Sequence, residues 1–125
     1  MRLIKIEGLP GSLPEKHYDL IGRRIVDASM GAKAMQASLV RMGPTGRADP
    51  HTHEDAEHLF IVLKGEMVLK TAQGEARLKE GEAAFIYPGE VHENYNAVES
   101  ETEYIVITSR LTPFCNKSRN TEVEK

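Results

Sequence analysis

A chain of 125 residues, 40% hydrophobic and 28% charged, has the makings of one soluble globular domain around a single core. A net charge of −3 and a pI near 6.0, with no run of Lys or Arg, argue against a nucleic-acid partner. The single cysteine, Cys115, excludes an intramolecular disulfide, and no apolar run approaches the ~18 residues of a membrane span.

The N-terminal M-R-L-I-K-I-E-G has too short an apolar stretch for a signal peptide, so the expected location is the cytosol. Leu3 to Ile6 is predicted as a short strand, followed by turn-prone residues from Gly8 to Pro14. His17 to Ile25 fits a helix or a strand, and Gly22 favours the strand. Ile25-Val26 and Ala34 to Met42 read as strand, although Ala and Met would also suit a helix. Gly43-Pro44-Thr45-Gly46 is predicted as a turn. Strands then follow at His58 to Leu63, broken by Gly65, and at Met67 to Thr71. The turn Ala72 to Glu75 leads to Ala76 to Lys79, and Gly81 leads to Ala83 to Tyr87. The corner Pro88-Gly89 leads to His92 to Asn96, and Glu103 to Thr108 completes the series. Short strands with Gly or Pro turns every ~8–12 residues indicate an all-β antiparallel sandwich or barrel. Residues 1–112 make the predicted barrel. The polar tail 113–125, with Cys115 and a chance sequon at Asn116-Lys117-Ser118, either frays or lies on a neighbouring subunit.

The chemical signal is in the histidines. The chain has five, and three of them, His51, His53 and His58, fall between Pro50 and Gly65. His51 and His53 are two apart, so on a strand both rings project from one face. His58 is an odd interval further on, and a turn through Glu54-Asp55-Ala56-Glu57 resets the parity. His58, Phe60 and Val62 then face one way, and Leu59, Ile61 and Leu63 the other. His92 opens a later strand behind its own Gly corner and arrives from another side. Only His17 stands apart. Imidazoles at this spacing indicate a divalent transition-metal site for Fe, Mn, Ni, Zn or Cu. Four neutral ligands leave the ion its full double charge, which favours an anionic or enolate-like oxygen ligand.

Other residues are weighed against ordinary structural roles. Among Tyr87, Tyr95 and Tyr104, Tyr104 is the best placed to move a proton, whereas Tyr95 has the wrong parity. Asn94 and Asn96 share the parity of His92 and can orient a ligand. Phe60 lines the pocket wall or packs the core. Arg23, Arg41 and Arg47 are candidate carboxylate anchors or solvated strand residues. Met30, Met35, Met42 and Met67 read as core filling, and Cys115 as inert.

These residues resemble the cupin superfamily. For the first motif, Gly46 opens, His51 and His53 stand two apart, and Gly65 closes. The lead spacing is one residue short, and His58 occupies the glutamate slot. Glu57 also satisfies an allowed spacing from His53, but leaves one residue too many before Gly65, so it is the alternative to His58. For the second motif, Gly81, Pro88-Gly89, His92 and Asn96 match, with Tyr87 in a proline slot. Together the motifs span Gly46 to Asn96, about two-fifths of the chain. Similarity to cupins implies a double-stranded β-helix, or jelly-roll barrel, with metal inside, often a homodimer exchanging N-terminal strands. It also implies that His51, His53 and His92 take the three histidine-ligand positions, while Asn96 is structural. The implied activity is that of a small mononuclear metalloenzyme on a small oxygen-rich or anionic substrate, a dioxygenase first. The alternatives are a redox-neutral isomerase, lyase or cyclase on a sugar acid or keto compound, and a non-catalytic binding module.

Overall fold

Along Ala56–Lys64, burial alternates: Ala56, His58, Phe60 and Val62 are buried, while Glu57, Leu59 and Ile61 are half-buried. That period of two is the mark of a strand with one face on a core. The computed structural model describes residues 1–111. In chain order its strands are β1 (Gly11–Ser12), β2 (His17–Val26), β3 (Met35–His51), β4 (Ala56–Lys64), β5 (Glu66–Thr71), β6 (Gly74–Lys79), β7 (Ala83–Ile86), β8 (His92–Asn96) and β9 (Thr102–Arg110). All pairings are antiparallel. The hydrogen-bonded order is β6-β5-β8-β3-β9-β4-β7, with β2 also paired to β3 and β1 to β2. The sheet curls into a nearly closed barrel, and β6 and β7 form its two free ends. Among the described residues no helix is long and apolar enough to cross a membrane.

The 17-residue β3 is the strand both halves share. Its first half pairs with β9, from Met35↔Ser109 to Met42↔Thr102, and its second half with β8, ending at His51↔His92. Between them lies Gly43-Pro44-Thr45-Gly46, the expected turn. The structure corrects that expectation, because these four residues stay within β3 and bulge opposite the single residue Asp19 of β2. Asp19 has φ 52°, and its Oδ2 accepts from Thr45 N at 3.0 Å and Thr45 Oγ1 at 2.8 Å. A Cβ on Gly46 would lie 2.6 Å from Met42 Cβ and 2.9 Å from the Asp19 carbonyl oxygen, so only glycine fits there. The strand bends and continues.

Leu20, Val40, Met42, Phe60, Val62, Met67, Leu69, Leu78, Ile86 and Tyr104 form the core. Buried Asn96 stitches its polar end. Its Nδ2 donates to the carbonyls of Gly43 and Ser100, both at 2.8 Å. Its Oδ1 accepts from Val98 N at 3.0 Å and Thr102 Oγ1 at 2.8 Å. Gly65, at φ 82°, packs where a Cβ would come within 2.9 Å of Thr102 Cα.

Other expectations need correction. Leu3 to Ile6 is not a strand, because no neighbouring strand offers it a ladder; Ile6–Gly8 is instead a short 3-10 turn. Arg2 ties this segment to the Met30 carbonyl, and Arg41 ties it through Glu7. Of the four methionines, only Met42 and Met67 are in the core; Met35 opens β3 beyond the apolar interior and is exposed. The turn before β6 is only Ala72-Gln73, because Thr71 already pairs with Gly74. Strand β7 ends at Ile86, one residue short of Tyr87. Cys115, the sequon and the tail 113–125 lie outside the described residues.

Candidate metal centre

Three strands deliver the histidines to one end of the barrel. His51 closes β3 and pairs directly with His92, which opens β8. His58 lies on β4 between Thr108 of β9 and Ile86 of β7. His53 sits in the connection between β3 and β4. The four rings form a closed circuit. Ring centroids are 4.3 Å apart for His51–His92, 5.2 Å for His92–His58, 4.9 Å for His58–His53 and 5.5 Å for His53–His51.

The Nδ1 atoms of three of these rings are already engaged. Nδ1 of His51 donates to the Asp49 carbonyl at 2.8 Å, and that of His92 to the Glu90 carbonyl at 3.0 Å. A carbonyl only accepts, so the proton is on Nδ1 and Nε2 keeps its lone pair. Nδ1 of His58 is 3.0 Å from Thr108 Oγ1. Nε2 of His58 and Nε2 of His92 are buried without a hydrogen-bond partner. Each such orphan ordinarily costs ~1–3 kcal/mol and requires a reason. Burial, reinforced by the neighbouring imidazoles, pushes His58 down to about 3. Burial likewise lowers His51 and His92. Neutral rings with buried, unpartnered Nε2 atoms are the chemistry of metal ligands.

The spacing can be tested against that chemistry. Imidazoles on one ion at about 2.1 Å have centroids roughly 4.5–5.2 Å apart at right or tetrahedral angles. The observed range of 4.3–5.5 Å brackets this. Among the described residues, however, no three His, Cys, Asp or Glu side chains are drawn together tightly enough to hold an ion as they stand. The rings therefore converge without being closed into a cage. Modest side-chain rotations would bring the Nε2 atoms together without disturbing the backbone that anchors the rings.

The other candidates divide by face. Glu57 is on the opposite side of β4 from His58 and is half-buried. Phe60 lies beneath the circuit, 5.9 Å from the His92 ring and 5.8 Å from Tyr104. Tyr104 is thus a layer deeper than the histidines. It is 3% exposed, and burial pushes its hydroxyl up to about 12. That hydroxyl accepts from Asn94 Nδ2 at 3.2 Å, which commits Asn94 to the core as well. Tyr87 and Tyr95 are exposed. Arg23 donates to the Leu9 carbonyl, Arg41 pairs with Glu7 and Glu103, and Arg47 covers the Tyr18 ring. None of these three arginines is placed at the histidines.

Two residues were missed by sequence reasoning. His17, set aside there as the odd one out, has its ring 6.0 Å from His51. The placement depends on the register His17↔Ala48, which no local signal carries. Arg110 follows Tyr104 and Thr108 on the inward side of β9 and pairs with Asp55 at 2.7 Å. Strand parity would have found it. Beside the circuit, a cavity of about 290 Å³ lies at the seam between β6 and β7, lined in part by Leu69, Thr71, Ala84 and Ile86. Thr71 pairs with His92 and Ile86 with His58, so two of its lining residues neighbour the histidines, none of which lines it.

A family model for the cupin domain matches residues 38–108. The polyketide cyclase RemF of Streptomyces resistomycificus superposes with a TM-score of 0.79 at 25% identity, over 90% of this chain and 81% of its own. A predicted oxalate decarboxylase of Thermotoga maritima gives 0.79 at 17% identity, over 88% and 100%. KdgF of a Halomonas species gives 0.76 at 15% identity, over 88% and 94%. At those last two identities, the likeness establishes the fold alone. No curated protein sequence matches the chain.

Proposed function

The chain belongs to the cupin domain family, and from that premise we propose that it is a mononuclear metal-dependent enzyme acting on a small, oxygen-rich molecule. His51, His53, His58 and His92 would hold the ion. The observation that carries the reading is the pair of buried, unbonded Nε2 atoms on His58 and His92, within a circuit of four imidazoles. A divalent ion bound there supplies a Lewis acid for an oxygen-donor ligand.

The rest follows from the chain's own groups. The Asp49 and Glu90 carbonyls fix His51 and His92 in tautomer and orientation, and Thr108 Oγ1 orients His58. Phe60 floors the site and keeps water from its underside. The seam cavity provides room for the body of a ligand, and Arg110 brings positive charge to the inward side beyond Thr108. Glu57, facing away from the circuit, is assigned no ligand role.

Between reaction types, we favour a redox-neutral cyclase or isomerase over the dioxygenase. The polyketide cyclase is similar over nine-tenths of this chain at a quarter identity, and polarising a carbonyl or enol oxygen requires no electron transfer. The proposal includes a homodimer through β2 and the connection before it, where Ile21 and Leu13 are exposed, to be checked by sedimentation equilibrium.

Metal analysis of the purified protein tests the site directly. His58→Ala should abolish occupancy, and Glu57→Ala should preserve it; the reverse pattern would show the ligand set to be wrong. Turnover of a keto or enol substrate under strict anaerobiosis supports the redox-neutral reading, and obligatory oxygen uptake refutes it.

A further inference from the structure

Three imidazoles share one local device. Nδ1 of His17, His51 and His92 lies 2.7, 2.8 and 3.0 Å from the carbonyl two residues earlier, on Glu15, Asp49 and Glu90 respectively. In the neutral ring this contact places the proton on Nδ1 and leaves the lone pair on Nε2. In His51 and His92 this is the form that binds a metal. His17 has the same preparation, although it belongs to neither sequence motif.

His17 is nevertheless not a fifth member of the circuit. Among the described histidines its only ring contact is His51, at 6.0 Å and 44°. A ligand to the same ion would have to approach several of the other rings, as each of the four does. His17 flanks the set from the side of His51. Exposure sorts the five into two tiers: His17, His51 and His53 are half-buried, at the rim, while His58 is 6% exposed and His92 1%, further in.

A hydrated ion entering such a funnel exchanges its waters for nitrogen donors in steps. An imidazole at the rim with a ready lone pair lets the first exchange occur before the ion reaches the narrower interior. We propose that His17 is a loading ligand: with His51 it captures a divalent transition ion at the mouth and passes it inward to His51, His53, His58 and His92, then leaves the final set. This rests on the four-histidine reading above. It has a kinetic signature that a ligand of the final set would not share. A group that acts only on the path changes uptake and release by the same factor, by microscopic reversibility, and leaves the equilibrium constant alone.

The test uses the full chain, metal-stripped, with Co²⁺ as probe and its d–d absorbance as signal. Stopped-flow mixing gives the uptake rate, displacement by excess chelator gives the release rate, and chelator competition gives the Kd. For His17→Gln, both rates should fall by roughly fivefold or more while the Kd stays within about twofold of the unsubstituted protein. Unchanged rates would make His17 a bystander and overturn the inference. A weakened Kd carried by faster release would place His17 among the final ligands and equally overturn it. The two readings fail separately. If the unsubstituted chain binds no Co²⁺, the metal centre itself is refuted. If it binds and His58→Ala abolishes binding while His17→Gln leaves both rates intact, only the loading role falls.

Discussion

Acid should unfold the metal-free protein through His58, and the size of the effect can be worked from its surroundings. Burial holds the folded-state value of His58 near 3, against 6.5 for the free side chain. Between those values the unfolded chain binds a proton that the folded chain refuses, so stability falls as pH falls through this window. From about pH 7 to about pH 5, one such group removes roughly 2 kcal/mol, the free energy of about 1.5 pH units at 1.36 kcal/mol each. His51 and His92 are lowered for the same reason and add to the loss. Urea unfolding of chelator-treated protein, followed by circular dichroism across this range, measures it. His58→Leu, which fills the site without titrating, should flatten the curve by roughly that ~2 kcal/mol. A metal-free protein whose stability held constant or rose on acidification would show that these imidazoles are not buried in neutral form, and the ligand argument would lose its footing.

Asn96→Ala should lower stability by about 3 kcal/mol in urea, because it strands the Gly43 and Ser100 carbonyls and the Val98 amide and removes one partner of Thr102 Oγ1. Metal-site residues are untouched, so a loss below about 0.5 kcal/mol would refute the structural role given to it. Tyr104→Phe should leave metal content and turnover unchanged, since Phe60 separates it from the histidines. It should cost about 1 kcal/mol through the lost Asn94 partner. A large fall in turnover with normal folding would return Tyr104 to the site.

What the sequence made legible was what strand periodicity and motif spacing can carry. The inward set His58, Phe60 and Val62 on β4, and His92, Asn94 and Asn96 on β8, lies as parity predicts. The barrel class follows from turn spacing. The continuation of β3 through Gly43 to Gly46 was hidden because turn chemistry is local, whereas the bulge depends on Asp19, 26 residues away from Thr45. His17 was hidden likewise, since its neighbour is set by the register of β2 against β3. Tyr104 exposes another limit: its place on the last strand made it the favoured tyrosine but says nothing about depth, and Phe60 takes the layer above it. The methionines mislead because residue type alone cannot distinguish Met35 at a strand end from Met42 in mid-strand.

The incomplete closure between β6 and β7 has a consequence for the protein in a crowded solution. Two strand edges with unpaired backbone groups are templates onto which another chain can add, and fibres begin that way. Here β7 is only four residues long, and β6 carries Glu75, Arg77 and Lys79 on one side, all exposed. Arg77 is also anchored to Glu66 at 2.8 Å. A stranger's strand would have to cover charges of both signs along one edge, or settle for a ladder too short to hold on the other. The barrel can thus remain open along one side, with a cavity in the gap, without inviting its own polymerisation.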